Sequence, residues 1–195
     1  MAPEALRHLT AVDGTLLPVL PRLAHALWGD AGRLSAKLHL HFEVCSGVLV
    51  GVAVTPAAES EVTQLEGSLQ AGRPYVTDRG DASYGLLAAI LAKGSSFVAR
   101  LKQDVAFHAG EERKVPVEAR KAGVVRDVVI TRLGSDPGND APKQPLRIVV
   151  VRPTPGQGRS DTPVTLVTDR LDLPAELVAL AYRWRWSVEL SFRWL

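Results

Sequence analysis

Residues 177–195 read LVALAYRWRWSVELSFRWL and close the chain with no glycine or proline after Pro174. A run of that composition predicts a helix. Pro174 stands at its start, where a missing N–H does no harm, and Asp172 ahead of it is a candidate N-cap. At about 100° per residue, Leu177, Leu180, Trp184, Val188 and Leu195 fall on one apolar stripe, expected to face a core. Tyr182, Arg185 and Glu189 fall on a second stripe, displaced by roughly one residue's rotation. Taken alone, Arg185 and Glu189 make an i, i+4 surface ion pair worth a few tenths of a kcal/mol. Set at the edge of a buried face, the same residues offer a carboxylate and a guanidinium to one site. At this point both readings stand.

What the helix packs against is legible upstream. Residues 9–15 (LTAVDGT) predict a short strand running into an acidic, glycine-containing turn, and residues 21–28 a short helix. Residues 37–44 and 48–55 are two strong β segments joined by Cys45-Ser46-Gly47, hence a hairpin. A polar loop and short helix follow to Gly72. Residues 73–78 (RPYVTD) predict a strand that again ends on an aspartate. Asp81 or Ser83 caps a helix reaching about Lys93, with Gly94 as its stop, and residues 96–102 form another strand. From about 103 to 163 the pattern becomes β-rich, with pieces at 123–133 and 146–152 between Gly- and Pro-rich breaks. Too few apolar residues lie there for a separate core, so it is read as an insertion within one domain spanning residues 1–195. Residues 164–168 return as a strand before the closing helix. That order predicts an α/β fold, a mixed sheet with a hairpin, flanked by helices.

Composition sets the outer limits. A chain of 195 residues, 46% hydrophobic and of mean hydropathy near zero, has the makeup of a soluble domain with a proper core. Its net charge of +2 is compatible with nucleic-acid binding without arguing for it. The single cysteine, Cys45, allows neither an internal disulfide nor a cysteine-based zinc site and fits a reducing cytosol. No basic segment followed by an apolar run opens the chain, and no stretch approaches eighteen consecutive apolar residues. An intracellular protein without membrane contact is expected.

Asp13 and Asp78 both fall where a strand is expected to end, the place where open α/β sheets collect ligands and catalytic groups. With Glu189 they make three carboxylates, whose mutual repulsion requires cations. A few hard oxygen donors suit Mg²⁺ or Mn²⁺, and two such ions are the usual device for displacement at a phosphodiester. These residues carry a resemblance. Val12-Asp13-Gly14-Thr15-Leu16-Leu17-Pro18, Ala36-Lys37-Leu38-His39-Leu40-His41-Phe42, Thr77-Asp78-Arg79-Gly80 and Thr168-Asp169-Arg170-Leu171-Asp172-Leu173-Pro174 resemble the DDE transposases of the insertion-sequence-four (IS-4) family. Tyr182, Arg185 and Glu189 match that family's Y-x2-R-x3-E-x6-K signature.

The resemblance implies an RNase H-like sheet and a metal-dependent polynucleotidyl transferase acting at insertion-sequence ends. Asp13, Asp78 and Glu189 would be catalytic and hold two Mg²⁺ or Mn²⁺ ions. Arg185 would hold a DNA phosphate through its planar fork, Tyr182 would contact the same backbone, and Arg79 would reach phosphate or pair with Asp81. DNA, as transposon ends and target, is the implied partner, with a homodimer in the synaptic complex of a full-length relative. The bacterial cytoplasm, at the nucleoid, is the implied location. Twelve residues precede Asp13, and the signature lysine would fall one position beyond Leu195, so a catalytic-core piece truncated at both ends is expected.

Other readings of the same residues compete. Asp13-Gly14-Thr15 is also half of a haloacid-dehalogenase-type phosphatase motif, but the residue two before Asp13 is Ala11, not a second aspartate. Asp169 also follows a strand and rivals Asp78. His39 and His41, at i and i+2 of a strand, have a spacing that binds metal and also one that hydrogen-bonded packing uses. Trp186 lies off the apolar stripe, where an aromatic can stack on a base. Another RNase H-like nuclease, or an inactive transposase remnant that at most binds DNA, remains the alternative function.

Overall fold

β-Branched and aliphatic runs build a nine-stranded sheet among the described residues, in the order β3-β2-β1-β4-β5-β9-β8-β7-β6. The computed structural model describes residues 4–18, 35–78, 82–136, 140–152 and 162–185. The helix expected over 21–28, and Arg79, Asp81, Trp186, Val188, Glu189 and Leu195, lie outside them.

The strands are β1 (Thr10–Pro18), β2 (Ser35–Glu43), β3 (Val48–Pro56), β4 (Tyr75–Thr77), β5 (Phe97–Arg100), β6 (Phe107–Glu112), β7 (Val124–Leu133), β8 (Leu146–Val151) and β9 (Val164–Thr168). The helices are α1 (Glu61–Ser68), α2 (Tyr84–Ala92), α3 (Val117–Lys121) and α4 (Ala175–Trp184). β1, β4 and β5 run parallel, and every other neighbouring pair is antiparallel. The α/β class, the mixed sheet and the hairpin β2–β3 are as expected. β6 and α3 are not legible in sequence. All but the first residue of β6 are exposed, so it carries no alternation, and α3 is five residues long with no side-chain cap.

Residues two apart in a strand share a face, so the sheet has two apolar surfaces. Val12, Tyr75, Phe97, Ala99, Val167 and Ile148 face Leu65 of α1 and Leu86, Leu87 and Ile90 of α2. Each fully buried leucine or isoleucine there contributes roughly 1.5–3 kcal/mol. Ser83 caps α2, accepting a hydrogen bond from Leu86 N at 3.2 Å, and Gly94 ends it in the left-handed region at φ 67°. Ala11, Val76, Val98, Val149 and Leu166 form the other surface, covered by α3 and α4.

α4 corrects two expectations. Its buried residues are Ala175, Val178, Ala179, Ala181 and Tyr182, while Leu177, Leu180 and Trp184 are only half-buried. Small alanines let the helix backbone lie close on the sheet, so the bulky leucines are pushed to its flanks. Tyr182 and Arg185 therefore belong to the stripe that faces the sheet, not to one displaced from it. Nor does Asp172 cap the helix. Pro174 is the N-cap residue, and Asp172 instead accepts a fork of hydrogen bonds from Arg170 at 2.8 and 2.7 Å. That guanidinium holds the Asp172 carboxyl down at about 2.

Candidate active site

Register brings the two aspartates together. In the parallel pair β1–β4, Thr10 faces Tyr75 and Ala11 faces Val76. Continued by two residues, the same register sets Asp13 level with Asp78, both on the face that α4 covers. Asp13 does not sit in a turn, as expected, but inside β1. Pairing with β2 runs unbroken from Thr10–Glu43 to Pro18–Ser35 and keeps β1 extended past Asp13. It is β4 that stops, at Thr77, one residue short of Asp78. Gly14 continues the strand opposite His39, its N–H donating to Asp13 Oδ1 at 2.9 Å.

At the roughly 4.8 Å spacing of neighbouring strands, two ionised carboxylates repel by about 3–4 kcal/mol at an effective dielectric of about 20. Positive charge answers this. Arg185, its side chain only 3% exposed, places Nη1 4.0 Å from Asp13 Oδ2 and Nη2 3.4 Å from Asp78 Oδ2. One guanidinium thus spans both carboxylates. Tyr182, one turn earlier on the same face, donates its hydroxyl to Asp78 Oδ1 at 3.0 Å. Burial first, and then the Asp78 charge, push the Tyr182 phenol above its ordinary value, so it stays neutral and a donor. Its ring lies under the Arg185 guanidinium at 5.8 Å.

Arg100 is the residue that sequence reasoning missed. It closes β5, two residues after buried Val98 and on the same face, with Nη1 3.6 Å from Asp78 Oδ1 and donating to Tyr182 Oη at 3.4 Å. The available signal was slight: a cation ending the apolar run Phe97-Val98-Ala99 beside the Asp78 strand.

A buried brace sets where α4 begins. Arg147 on β8 donates to Asp127 of β7 from Nε at 2.7 Å and from Nη2 at 2.6 Å, both side chains almost wholly buried. Its Nη1 donates to the carbonyl of Leu173, two residues before α4. Arg113 donates to the Leu171 carbonyl at 2.7 Å. Asp169, the rival to Asp78, is held away from the two aspartates. Because β9 runs antiparallel to β5, Asp169 lies at the end of the sheet opposite Asp78, where it accepts from Phe97 N at 2.8 Å. Burial raises its carboxyl above the ordinary range.

His39 and His41 point to the opposite face from Asp13. His39 Nε2 lies 2.8 Å from Thr55 Oγ1 and His41 Nε2 3.3 Å from Ser68 Oγ. Both rings are buried, which is the packing reading. Burial is the largest cause lowering both below 6.5. Around His39, Glu61 and Glu59 oppose that shift and Lys37 adds to it; around His41, His39 and Arg73 add to it. The folded chain then refuses protons that the unfolded chain accepts. Their contribution to stability is complete above 6.5 and lost as pH falls from there through the lowered folded values. Urea denaturation at about pH 7.5 and about pH 5.5 should show lower stability at the acid value, with a shallower slope in His41→Gln; equal slopes would contradict this.

Two partly exposed carboxylates on one face are the hard, small donor set that divalent cations take, so Asp13 and Asp78 fit such an ion. Among the described residues no His, Cys, Asp and Glu side chains gather in a group of three, and the third carboxylate, Glu189, lies outside them. No helix among the described residues is long and apolar enough to cross a membrane.

Comparison with known proteins gives a family and a fold. Residues 4–195 match the family described as "Transposase DDE domain". "Putative transposase y4zB" of Sinorhizobium fredii is 32% identical over 128 residues, covering 66% of this chain and 34% of that protein. The piggyBac transposase, solved by cryo-EM as a synaptic complex with hairpin DNA, superposes with a TM-score of 0.50 at 11% identity over 95% of this chain and 40% of its own. At that identity the likeness is one of fold, and the sheet is RNase H-like. The chain spans about a third of the length of the curated relative it matches.

Proposed function

The chain belongs to the transposase DDE domain family, and on that premise we propose that it is the catalytic domain of a DNA transposase of the insertion-sequence-four branch. It would cleave and rejoin DNA at insertion-sequence ends in the bacterial cytoplasm. We read residues 1–195 as one domain in which 103–163 is an insertion. The observation that carries the reading is the convergence of Asp13 and Asp78 on Arg185, the residue that caps the C-terminus of α4.

The family generally works with divalent metal ions. Asp13, Asp78 and Glu189 would hold two Mg²⁺ or Mn²⁺, which when bound supply an activated nucleophile and a stabilised leaving oxygen. The remaining work falls to side chains. Arg185 offers paired N–H donors that match a phosphate's oxygens, and Tyr182 offers a neutral hydroxyl beside it. Arg100 adds a second cation at the mouth of the site, and Arg79, next in chain to Asp78, would add a third. Such contacts position a strand without reading its bases. Packing α4 flat on the sheet fixes clamp and carboxylates in one frame, which favours in-line geometry at phosphorus. A full-length relative would act as a homodimer across two ends.

The test is nicking of DNA carrying the element's terminal inverted repeats, with Mg²⁺ and with EDTA. Nicks at the repeat ends with Mg²⁺ alone are expected. Nicking in EDTA, or none under either condition, would contradict the proposal.

A further inference from the structure

Arg185 holds the negative charge that a metal would need. Its guanidinium spans Asp13 and Asp78 at 4.0 and 3.4 Å, from a side chain only 3% exposed. Arg100 reaches the other oxygen of Asp78 at 3.6 Å, and that same oxygen also accepts from Tyr182 at 3.0 Å. Asp78 is therefore engaged at both carboxylate oxygens by groups that belong to the chain. Arginine is always charged and cannot be neutralised by losing a proton, so its withdrawal from the pair needs a competing anion. A DNA phosphate is such an anion, and its bidentate fit to guanidinium matches a carboxylate's.

We infer that Arg185, supported by Arg100, is a resident counter-ion of the Asp13–Asp78 pair, so that divalent metal and phosphodiester bind cooperatively and each binds weakly alone. This rests on the reading of Asp13 and Asp78 as metal ligands. The chain without DNA keeps its carboxylates paired internally, and a cation must compete with a buried guanidinium for them. A backbone phosphate draws the guanidinium to itself and leaves the carboxylates to the metal. By linkage the metal tightens phosphate binding by the same factor. An enzyme built this way stays unloaded until DNA is seated, which limits stray cleavage. Arg185 is in this respect a positioning residue as well as a phosphate contact.

The experiment measures Mn²⁺ binding by electron paramagnetic resonance, on the folded chain alone and with a short mixed-sequence DNA duplex. Wild type is expected to bind Mn²⁺ at least about fivefold more tightly with duplex present, within the usual range of coupled sites. Arg185→Gln is expected to bind Mn²⁺ more tightly than wild type without DNA, and to lose the enhancement by duplex. Arg185→Lys, whose compact ammonium cannot span both carboxylates, should fall between them; it decides the matter if the glutamine variant does not fold. Mn²⁺ affinity that is unchanged or lower in the folded variants, or unaffected by DNA in wild type, would overturn the inference. Asp13→Asn and Asp78→Asn separate the two levels. Mn²⁺ binding that survives in both would overturn the metal-ligand reading itself, whereas its loss with no effect of Arg185 would overturn only the coupling.

Discussion

Asp78→Asn is expected to lower Mg²⁺-dependent nicking by about a thousandfold or more, with Asp13→Asn close behind. Asparagine keeps the shape of the side chain and can still accept the Tyr182 hydroxyl, so what is removed is charge. A metal site supplies several kcal/mol of transition-state stabilisation, and about 4 kcal/mol corresponds to a thousandfold at 1.36 kcal/mol per factor of ten. The fold should hardly notice. Asp78 and Asp13 are 35% and 26% exposed, and Arg185, though buried, keeps the other carboxylate as its partner when either is replaced, so the cost stays well below that of a wholly unpaired buried charge. The informative pattern is thus a loss of activity with an unchanged denaturation midpoint. Retention of a tenth or more of wild-type nicking in either variant would remove that aspartate from the catalytic set.

The opposite pattern is expected at the brace. Asp127→Ala should cost about 3–5 kcal/mol of unfolding free energy, the usual penalty for leaving one partner of a buried ion pair uncompensated. Arg147 is 2% exposed and cannot turn to water without disturbing the Leu173 carbonyl it also holds. Replacing both residues, as Asp127→Leu with Arg147→Met, should recover much of the loss, since an apolar pair of similar volume often matches a buried salt bridge. Recovery should stay incomplete by about 1 kcal/mol, because the Leu173 carbonyl loses its donor. Urea denaturation of wild type and the two variants reads these differences directly. A cost below about 1 kcal/mol for Asp127→Ala would mean that water reaches Arg147.

What was legible in the sequence follows from how local each signal is. The hairpin of residues 37–55 and the strand ending at Asp78 were legible because β-branched runs and a short glycine-containing link are neighbours in the chain. The Tyr182–Arg185 spacing was legible for the same reason. The phase of α4 was not, because a hydrophobic stripe is judged by bulky residues. The sheet selected Ala175, Ala179 and Ala181, which bring the helix axis close. Asp13 reads as a turn residue because an aspartate followed by glycine usually makes one. Only the register with β2, set by residues 22 to 30 positions further on, keeps it in a strand. Arg100 and the Asp127–Arg147 pair were beyond reach in the same way. Their partners lie 82 and 20 residues away, and no local pattern distinguishes a buried arginine from a solvated one.

Asp13 and Asp78, with Glu189, are proposed to form one metal site. Anomalous diffraction from crystals of the chain grown with Mn²⁺ and a short DNA duplex tests it most directly. Mn²⁺ peaks are expected in contact with the carboxylates of Asp13 and Asp78, with Glu189 completing the set and Arg185 turned to a DNA phosphate. Mn²⁺ bound only elsewhere, with Arg185 still spanning the two aspartates in the presence of DNA, would contradict it.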